Sequence, residues 1–271
     1  METPFNPGQT PGGLVSSEPF VSAHTRASVV VALFVAYIVV AASSFLANLA
    51  QLALPPLVLA AAEGEQEQLT LGDLANFFVA LATFFVFLAL VVAFLVWLHR
   101  VVKNLPALGN PKAKIEHTPG WAVATFFIPI ASLFLPYKAV KEVWVKSDPS
   151  VHSEADLFYS TAGSAPPLLL GWWLTWVASN ILDNFTWQFG SRADGMEGFL
   201  TGVELVSDVV GIVSAALAIM VVRGIDRRQA ERARHVTCIP NIPPPPPDFR
   251  PATHEARDAA PRQTPPPFGG S

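Results

Sequence analysis

Long apolar blocks alternate along this chain with short charged or proline-rich segments, and the blocks lack the polar face that a water-facing helix or strand carries. The first block runs from Ala27 to Ala62, behind Arg26. It is longer than one crossing of a ~30 Å hydrocarbon layer needs, about 20 helical residues. Asn48, Gln51 and the Pro55-Pro56 pair mark its exit near Ala50, leaving Leu52 to Ala62 at an interface or on a kinked extension of the helix. The second block, Leu74 to Leu98, has no charge between Asp73 and His99, and Phe77, Phe78, Phe84, Phe85, Phe87 and Phe94 are spread around it. Pro166-Pro167 open a third, where the first helical turn tolerates proline, and it reaches about Asn184. The last runs from Phe199 to Val222 and ends on the arginines from Arg223 to Arg234. The pattern predicts an all-α integral membrane protein with four transmembrane helices, at about 28–50, 74–98, 166–184 and 199–222.

Between the second and third blocks lies the apolar stretch from Pro119 to Trp144. From Trp121 to Leu135 an unbroken helix covers only about 22 Å, less than the hydrocarbon thickness. Pro129 removes a backbone donor from its middle, and Pro119 and Pro136 bound its ends. If this stretch crossed, Lys138, Lys141, Lys146, Arg223, Arg227, Arg228, Arg232 and Arg234 would all face outside. If it enters and returns, or lies along the interface, they stay inside and only Arg192 faces out. The bias of Lys and Arg toward cytoplasmic loops therefore predicts a re-entrant or interfacial segment at 119–137. Glu63, Glu65, Glu67 and Asp73, with no basic residue among them, suit the outer side. The expected location is the cell membrane, multi-pass, with both termini cytoplasmic. Residues 1–25, rich in Pro and Gly, read as a disordered arm, 26–234 as the transmembrane domain and 235–271 as a disordered Pro-rich cytosolic tail.

Composition agrees: 51% of residues are hydrophobic and 14% charged, with a mean hydropathy of +0.41. The net charge of −4 carries no footprint of a nucleic-acid partner. Cys238 stands alone and so makes no internal disulfide. The six histidines are widely separated, and there is no zinc-binding H-E-x-x-H helix, nucleophile elbow or phosphate loop. No cofactor, metal or enzymatic activity is expected.

The sharpest candidate chemistry is on the last span, where Glu204 and Asp208 share a helix face with Gly211 and Ala215. Carboxylates within a span are costly and usually face the bundle interior, which points to a proton or cation site. The structural alternative puts Glu204 at the outer interface and pairs Asp208 with a polar neighbour such as Asn180. Trp172, Trp176, Asn180 and Asn184 recur at four-residue spacing with Asp183 beside them, giving a face that turns from aromatic to amide. Its polar residues serve either as ligands for the same ion or as interhelical hydrogen-bond partners. Arg100, Lys103, Arg223, Arg227 and Arg228 are candidate contacts for anionic lipid or determinants of topology.

Several of these pieces resemble a known family. Asn104-Leu105-Pro106-Ala107-Leu108-Gly109, Pro119-Gly120-Trp121, Phe127-Ile128-Pro129-Ile130, Pro136-Tyr137-Lys138-Ala139-Val140 and Trp144 are similar to the bacterial membrane family called domain of unknown function 4328. So are Gly171-Trp172-Trp173 with Trp176, Ser179-Asn180-Ile181-Leu182, and Val221-Val222-Arg223 with Arg227-Arg228-Gln229. The resemblance implies a bacterial integral membrane protein and supplies no catalytic or binding residues. Two functions fit the sequence: a non-enzymatic membrane component acting through packing or partner recruitment, or a small ion, proton or solute transporter or channel using Asp208 and Glu204. Its expected partners are the lipid bilayer and other membrane proteins or a second copy of the chain.

Overall fold

Each apolar block forms a helix in a computed structural model that describes residues 19–54, 57–61, 68–109, 115–128, 130–150, 166–189, 195 and 197–237. The expected terminal arm and tail lie almost wholly outside these residues. Helix α1 spans His24–Ala53. It ends where Leu54 turns extended, at φ −118° and ψ 148°, the conformation that a following proline imposes. Strands β1 (Val58–Ala61) and β2 (Gln68–Thr70) then pair antiparallel, Val58 opposite Thr70. A strand therefore stands at residues 58–61 in place of a kinked helical extension, and among the described residues this ribbon is the one departure from a helical fold.

Helix α2, Leu71–Lys103, begins on a capping box: Asp73 N–H donates to Thr70 Oγ1 at 3.2 Å, and Thr70 N–H donates to Asp73 Oδ2 at 2.9 Å. A 3-10 turn, Pro106–Leu108, follows and closes on Gly109 at φ 85°, a left-handed state that glycine adopts at little cost. The central stretch is short helix, turn and helix. Helix α3, Pro119–Ala124, is capped by Thr118, whose Oγ1 accepts from Trp121 N–H at 3.3 Å. Ile130 adopts φ 64°, which β-branched residues rarely do. A 3-10 turn (Ala131–Leu133) and helix α4 (Leu135–Lys146) complete it. Pro136, expected to bound a helix, lies in the first turn of α4 because a helix start has no use for its missing N–H. Pro129 falls outside the described residues.

Helix α5 spans Pro167–Phe189 and α6 spans Glu197–Thr237. Helix α6 does not stop at the arginines that are expected to end the last span. Arginine is a good helix former, several of these side chains find partners, and the helix carries on beyond Val222 to Thr237. Three helical stretches are long and apolar enough to cross a membrane: His24–Ala53, Leu71–Lys103 and Gly198–Arg234. Among the described residues three of the four expected spans thus meet this criterion, and α5 is the one that does not. Helix α5 is long enough, its 23 residues covering about 34 Å, but its tryptophans and Asn180, Asp183 and Asn184 lower its hydropathy.

A buried polar clasp joins one end of the bundle. At its centre Gln229, 2% exposed, donates from Nε2 to Val101 O at 2.9 Å and to Ser147 Oγ at 3.2 Å. Its Oε1 accepts from Asn104 Nδ2 at 3.2 Å, and the same amide donates to Val21 O at 2.9 Å. Arg232 bonds Leu108 O and Asp148 O, each at 2.8 Å. Arg228 bonds Asp148 Oδ2 at 2.7 Å and lies 4.3 Å from the Trp144 ring centre. The start of α1 joins in through His24 and Asp226, 2.7 Å apart. The clasp thus gathers the start of α1 and the ends of α2 and α4 around α6. Nearby, Glu142 of α4 accepts from the backbone N–H groups of Glu116 and His117, lies 2.6 Å from His117 Nδ1, and accepts from Lys146 at 2.5 Å. The two ends of the central stretch are therefore pinned to each other, and the chain comes back to where it set out.

Gly224 allows the close approach of α4 to α6, since a Cβ there would stand 2.6 Å from the Trp144 ring. Above the clasp, Phe94 is in ring contact with Phe34 of α1, Phe126 behind α3 and Trp172 of α5, at centroid distances of 5.8–6.5 Å. Outside this core the helices are strongly apolar yet uncovered: Val39, Leu46, Phe77, Phe78, Phe84 and Phe85 are each about 60% exposed.

Burial raises the Glu142 carboxyl, but its bonds from Lys146, His117 and Glu116 N–H outweigh this and hold it below its ordinary range. For Asp148 burial is likewise outweighed by the two bonds from Ser150 and by Arg228. Because both folded values are depressed, their stabilisation is fully present above the ordinary carboxylate range and is lost as pH falls through the folded values. Thermal unfolding in detergent should therefore show stability falling between about pH 5 and about pH 2. Glu142→Gln together with Asp148→Asn should flatten that dependence; an unchanged slope would refute the assignment.

Candidate functional site

At the end of the bundle away from the clasp, α1, α2, α5 and α6 diverge around a cleft of about 870 Å³. Its position follows from the polar residues that interrupt each helix. Helix α1 contributes Tyr37, Ser44 and Asn48, and α2 contributes Asn76 and Thr83. Helix α5 supplies Trp176, Ser179, Asn180, Asp183, Asn184 and Trp187. Helix α6 adds Glu204, Ser207, Asp208, Gly211, Ser214 and Ala215. From Glu204 to Ala215 the helix advances about 16 Å, and Phe34, Leu90 and Trp176 form the apolar floor. Beneath it Trp173 stacks on Trp176 at 4.8 Å and donates from Nε1 to Leu133 O at 3.1 Å.

The five expected polar site residues, Asp208, Glu204, Asn180, Asp183 and Asn184, all line this cleft. Among the described residues the lining carries three carboxyl groups and no Lys, Arg or His. Asp183 and Glu204 are exposed within it. Ser207 bridges the two helices by donating to Asp183 Oδ1. The suggested partner of Asp208, Asn180, is a correction: Asp208 meets Ser44 and Asn48 of α1 instead. Asn180 donates to Trp176 O at 2.7 Å, because an amide at this position reaches the carbonyl of the preceding turn of its own helix. Oδ2 of Asp208 is buried and has no hydrogen-bond partner among the described residues.

Other donors of the lining are used locally. Asn184 Nδ2 donates to Asn180 O at 2.7 Å, Ser179 Oγ to Trp176 O at 3.0 Å and Thr83 Oγ1 to Val79 O at 2.8 Å. Each of the two amides, Asn180 and Asn184, keeps a second N–H and a carbonyl oxygen, so the space offers donors as well as acceptors around its carboxyl groups. Among the described residues no three His, Cys, Asp or Glu side chains converge as a metal-ion site.

The basic candidates have separate surroundings. Arg228 is engaged by Asp148 and the Trp144 ring within the clasp. Arg227 pairs with Glu231 one turn on, at 2.8 Å, and Arg223 is exposed. Arg100 and Lys103 line a groove beside α1.

A family model described as Domain of unknown function (DUF4328) matches residues 60–227. The chain belongs to this family. No curated protein and no solved structure matches it. The DUF4328 match takes in α2 to α5 and most of α6, hence three of the four cleft walls, and leaves out α1 with Tyr37, Ser44 and Asn48.

Sequence reasoning missed that fourth wall. Asn48 reads there as the exit of a span, and Ser44 and Tyr37 as ordinary members of an apolar block. The available signal was spacing: residues 37, 44 and 48 recur at intervals of seven and four, as do 76 and 83 at seven, which is one helix face in each case. Asp208→Asn should keep the shape and remove a charge that the cleft leaves incompletely satisfied. It should stabilise the protein by about 1 kcal/mol at neutral pH, read as a higher midpoint in thermal unfolding; a lower midpoint would mean that Asp208 is a fully satisfied structural group.

Proposed function

We propose that this DUF4328 member is an integral membrane protein that binds a small monovalent cation, proton included, in the acidic cleft between α1, α2, α5 and α6. The observation that carries the reading is the cleft lining: three carboxyl groups, Asp183, Glu204 and Asp208, without one basic side chain among the described residues. In a low-dielectric surrounding, such groups must be neutralised by protons or by a bound cation. A carboxylate serving only to hold helices together would be sealed by its neighbours, whereas Asp183 and Glu204 stay open to the cleft.

Membrane insertion is supported by the three long apolar helices and by phenylalanines left uncovered around α2. A water-facing surface would not carry apolar patches of that extent. In this reading α5 is a fourth span whose polar face is covered by the cleft, and residues 119–137 dip into the bilayer and return. The clasp end, with Arg26, Arg100, Lys103, Lys141 and the arginines of α6, faces the cytoplasm. The cleft end faces outward, so the cation arrives from outside. The aromatic floor closes the way to the other side, and carrying the cation across would require α5 to move against Phe94 and Phe126. Such a protein is a transporter held open on one side, which is how we read the activity.

Thermal unfolding of the purified protein in a neutral detergent tests the binding step. Above saturation each tenfold rise in the concentration of sodium, potassium or lithium should raise the midpoint by about 3 °C for the ion the site accepts. Asp208→Asn should abolish that dependence. If no monovalent cation shifts the wild-type midpoint, and the midpoint does not respond to pH through Asp208, the proposal is wrong.

A further inference from the structure

A second groove, of about 420 Å³, lies at the clasp end on the outer face of α1 and α2 and is lined by Arg26, Leu95, Val96, His99, Arg100 and Lys103. Among the described residues no carboxyl group lines it. Among the described residues Arg26, His99 and Lys103 make no ion pair. Arg100 makes a single 3.4 Å bond, from Nε to Val21 O. This separates them from Arg228 and Arg232, whose charges are consumed inside the clasp. The concentration of unpaired basic groups lacks a structural explanation within the fold.

The groove is also continuous with an apolar stripe. On α2, Leu88, Val92 and Val96 recur every four residues, each at least half exposed, and lead down to His99, Arg100 and Lys103. Val29, one turn beyond Arg26 on α1, is 49% exposed beside them. Cationic groups at one end and an uncovered hydrocarbon track leading away from them match the two halves of one molecule, an anionic headgroup and its acyl chain.

We infer that this groove is a binding site for an anionic phospholipid of the cytoplasmic leaflet. Arg26, Arg100 and Lys103 hold the phosphate, His99 borders it, and an acyl chain lies along Val96, Val92 and Leu88. Arginine suits this role because its planar fork offers two parallel donors to a phosphate, while Lys103 supplies a point charge. The inference rests on the membrane reading above but not on the cation cleft, which lies at the other end of the bundle. It also gives α1 and α2 a shared ligand exactly where their lipid-facing surfaces meet the headgroup layer.

The test is native mass spectrometry of the full chain released from nanodiscs of phosphatidylcholine containing a minor share of phosphatidylglycerol. Wild type should retain phosphatidylglycerol in preference to phosphatidylcholine. Arg26→Gln with Lys103→Gln, two exposed positions outside every hydrogen bond described for the clasp, should weaken that retention about thirtyfold. Lys138→Gln with Lys141→Gln, the same charge change on exposed residues of α4, should leave it unaltered. Glycerol phosphate at millimolar concentration should not displace the lipid, since it lacks the chain; full displacement would make this a site for soluble phosphates and overturn the lipid assignment. Equal retention by both double variants would overturn it too. A wild-type protein that fails to enter nanodiscs at all would instead remove the membrane reading, an outcome that is plainly distinct from the other two. Monodisperse elution and an unaltered helical spectrum of each variant exclude misfolding as the cause of a loss.

Discussion

The arrangement of this protein depends on one requirement: polar groups buried among apolar helices must find partners, and at the clasp end they find them in one another. Gln229 is the centre of that solution. Its amide uses Val101 O, Ser147 Oγ and Asn104 Nδ2 together, and removing any of these elements would strand a buried donor or acceptor at about 1–3 kcal/mol each. The geometry is therefore selective in a way that apolar packing alone is not, because apolar surfaces slide at little cost and hydrogen bonds do not. Ser147 can reach Gln229 only if α4 ends beside the end of α2. With Glu142 fastened to residues 116 and 117, the central stretch has no freedom to run on to the far end of the bundle.

Fixing that end leaves the other free to differ. Helix α6 belongs to both: its C-terminal part supplies Arg228, Gln229 and Arg232 to the clasp, and its N-terminal part supplies Glu204, Ser207 and Asp208 to the cleft. Between them the aromatic contacts of Phe94 and Trp172 separate the paired side chains of the clasp from a cleft in which Asp208 Oδ2 has no hydrogen-bond partner among the described residues. The contrast in chemistry follows. Buried arginine and glutamine at one end meet carbonyls and a carboxylate, whereas the acids at the other meet hydroxyls and amides, Ser207 for Asp183 and Ser44 and Asn48 for Asp208. A rigid base with an incompletely satisfied opposite end is an arrangement suited to ligand binding, since polar groups left open are where a ligand contributes free energy.

Much of this was legible from the order of residues. Long charge-free blocks predict α1, α2 and α6, and Pro166-Pro167 place the start of α5. The weight of Lys and Arg on one side predicts a re-entrant or interfacial central stretch, but the contacts that hold its two ends together, Glu142 with residues 116 and 117, are not written in that bias. Other features depend on contacts between residues far apart in the chain. Nothing local to Gln229 marks it as buried, because its partners are 82 to 128 residues away. The same holds for Asp208: the helix face it shares with Glu204 is written in the spacing, but the choice of Ser44 and Asn48 over Asn180 depends on how α1 lies against α6. The persistence of α6 through its arginines is likewise a tertiary effect, since a run of like charges read alone predicts a boundary and the clasp neutralises part of it.

The account stands on the central stretch returning to the end from which it departs, and site-directed labelling in intact cells tests that directly. With Cys238 replaced by serine, Lys141→Cys probes the exposed face of α4 and Gln188→Cys the exposed last turn of α5 at the cleft end. A membrane-impermeant maleimide applied from outside should label position 188 at once and position 141 only after the cells are opened. Labelling of both positions from outside would contradict the account, because it would carry α4 across the bilayer and separate it from the clasp.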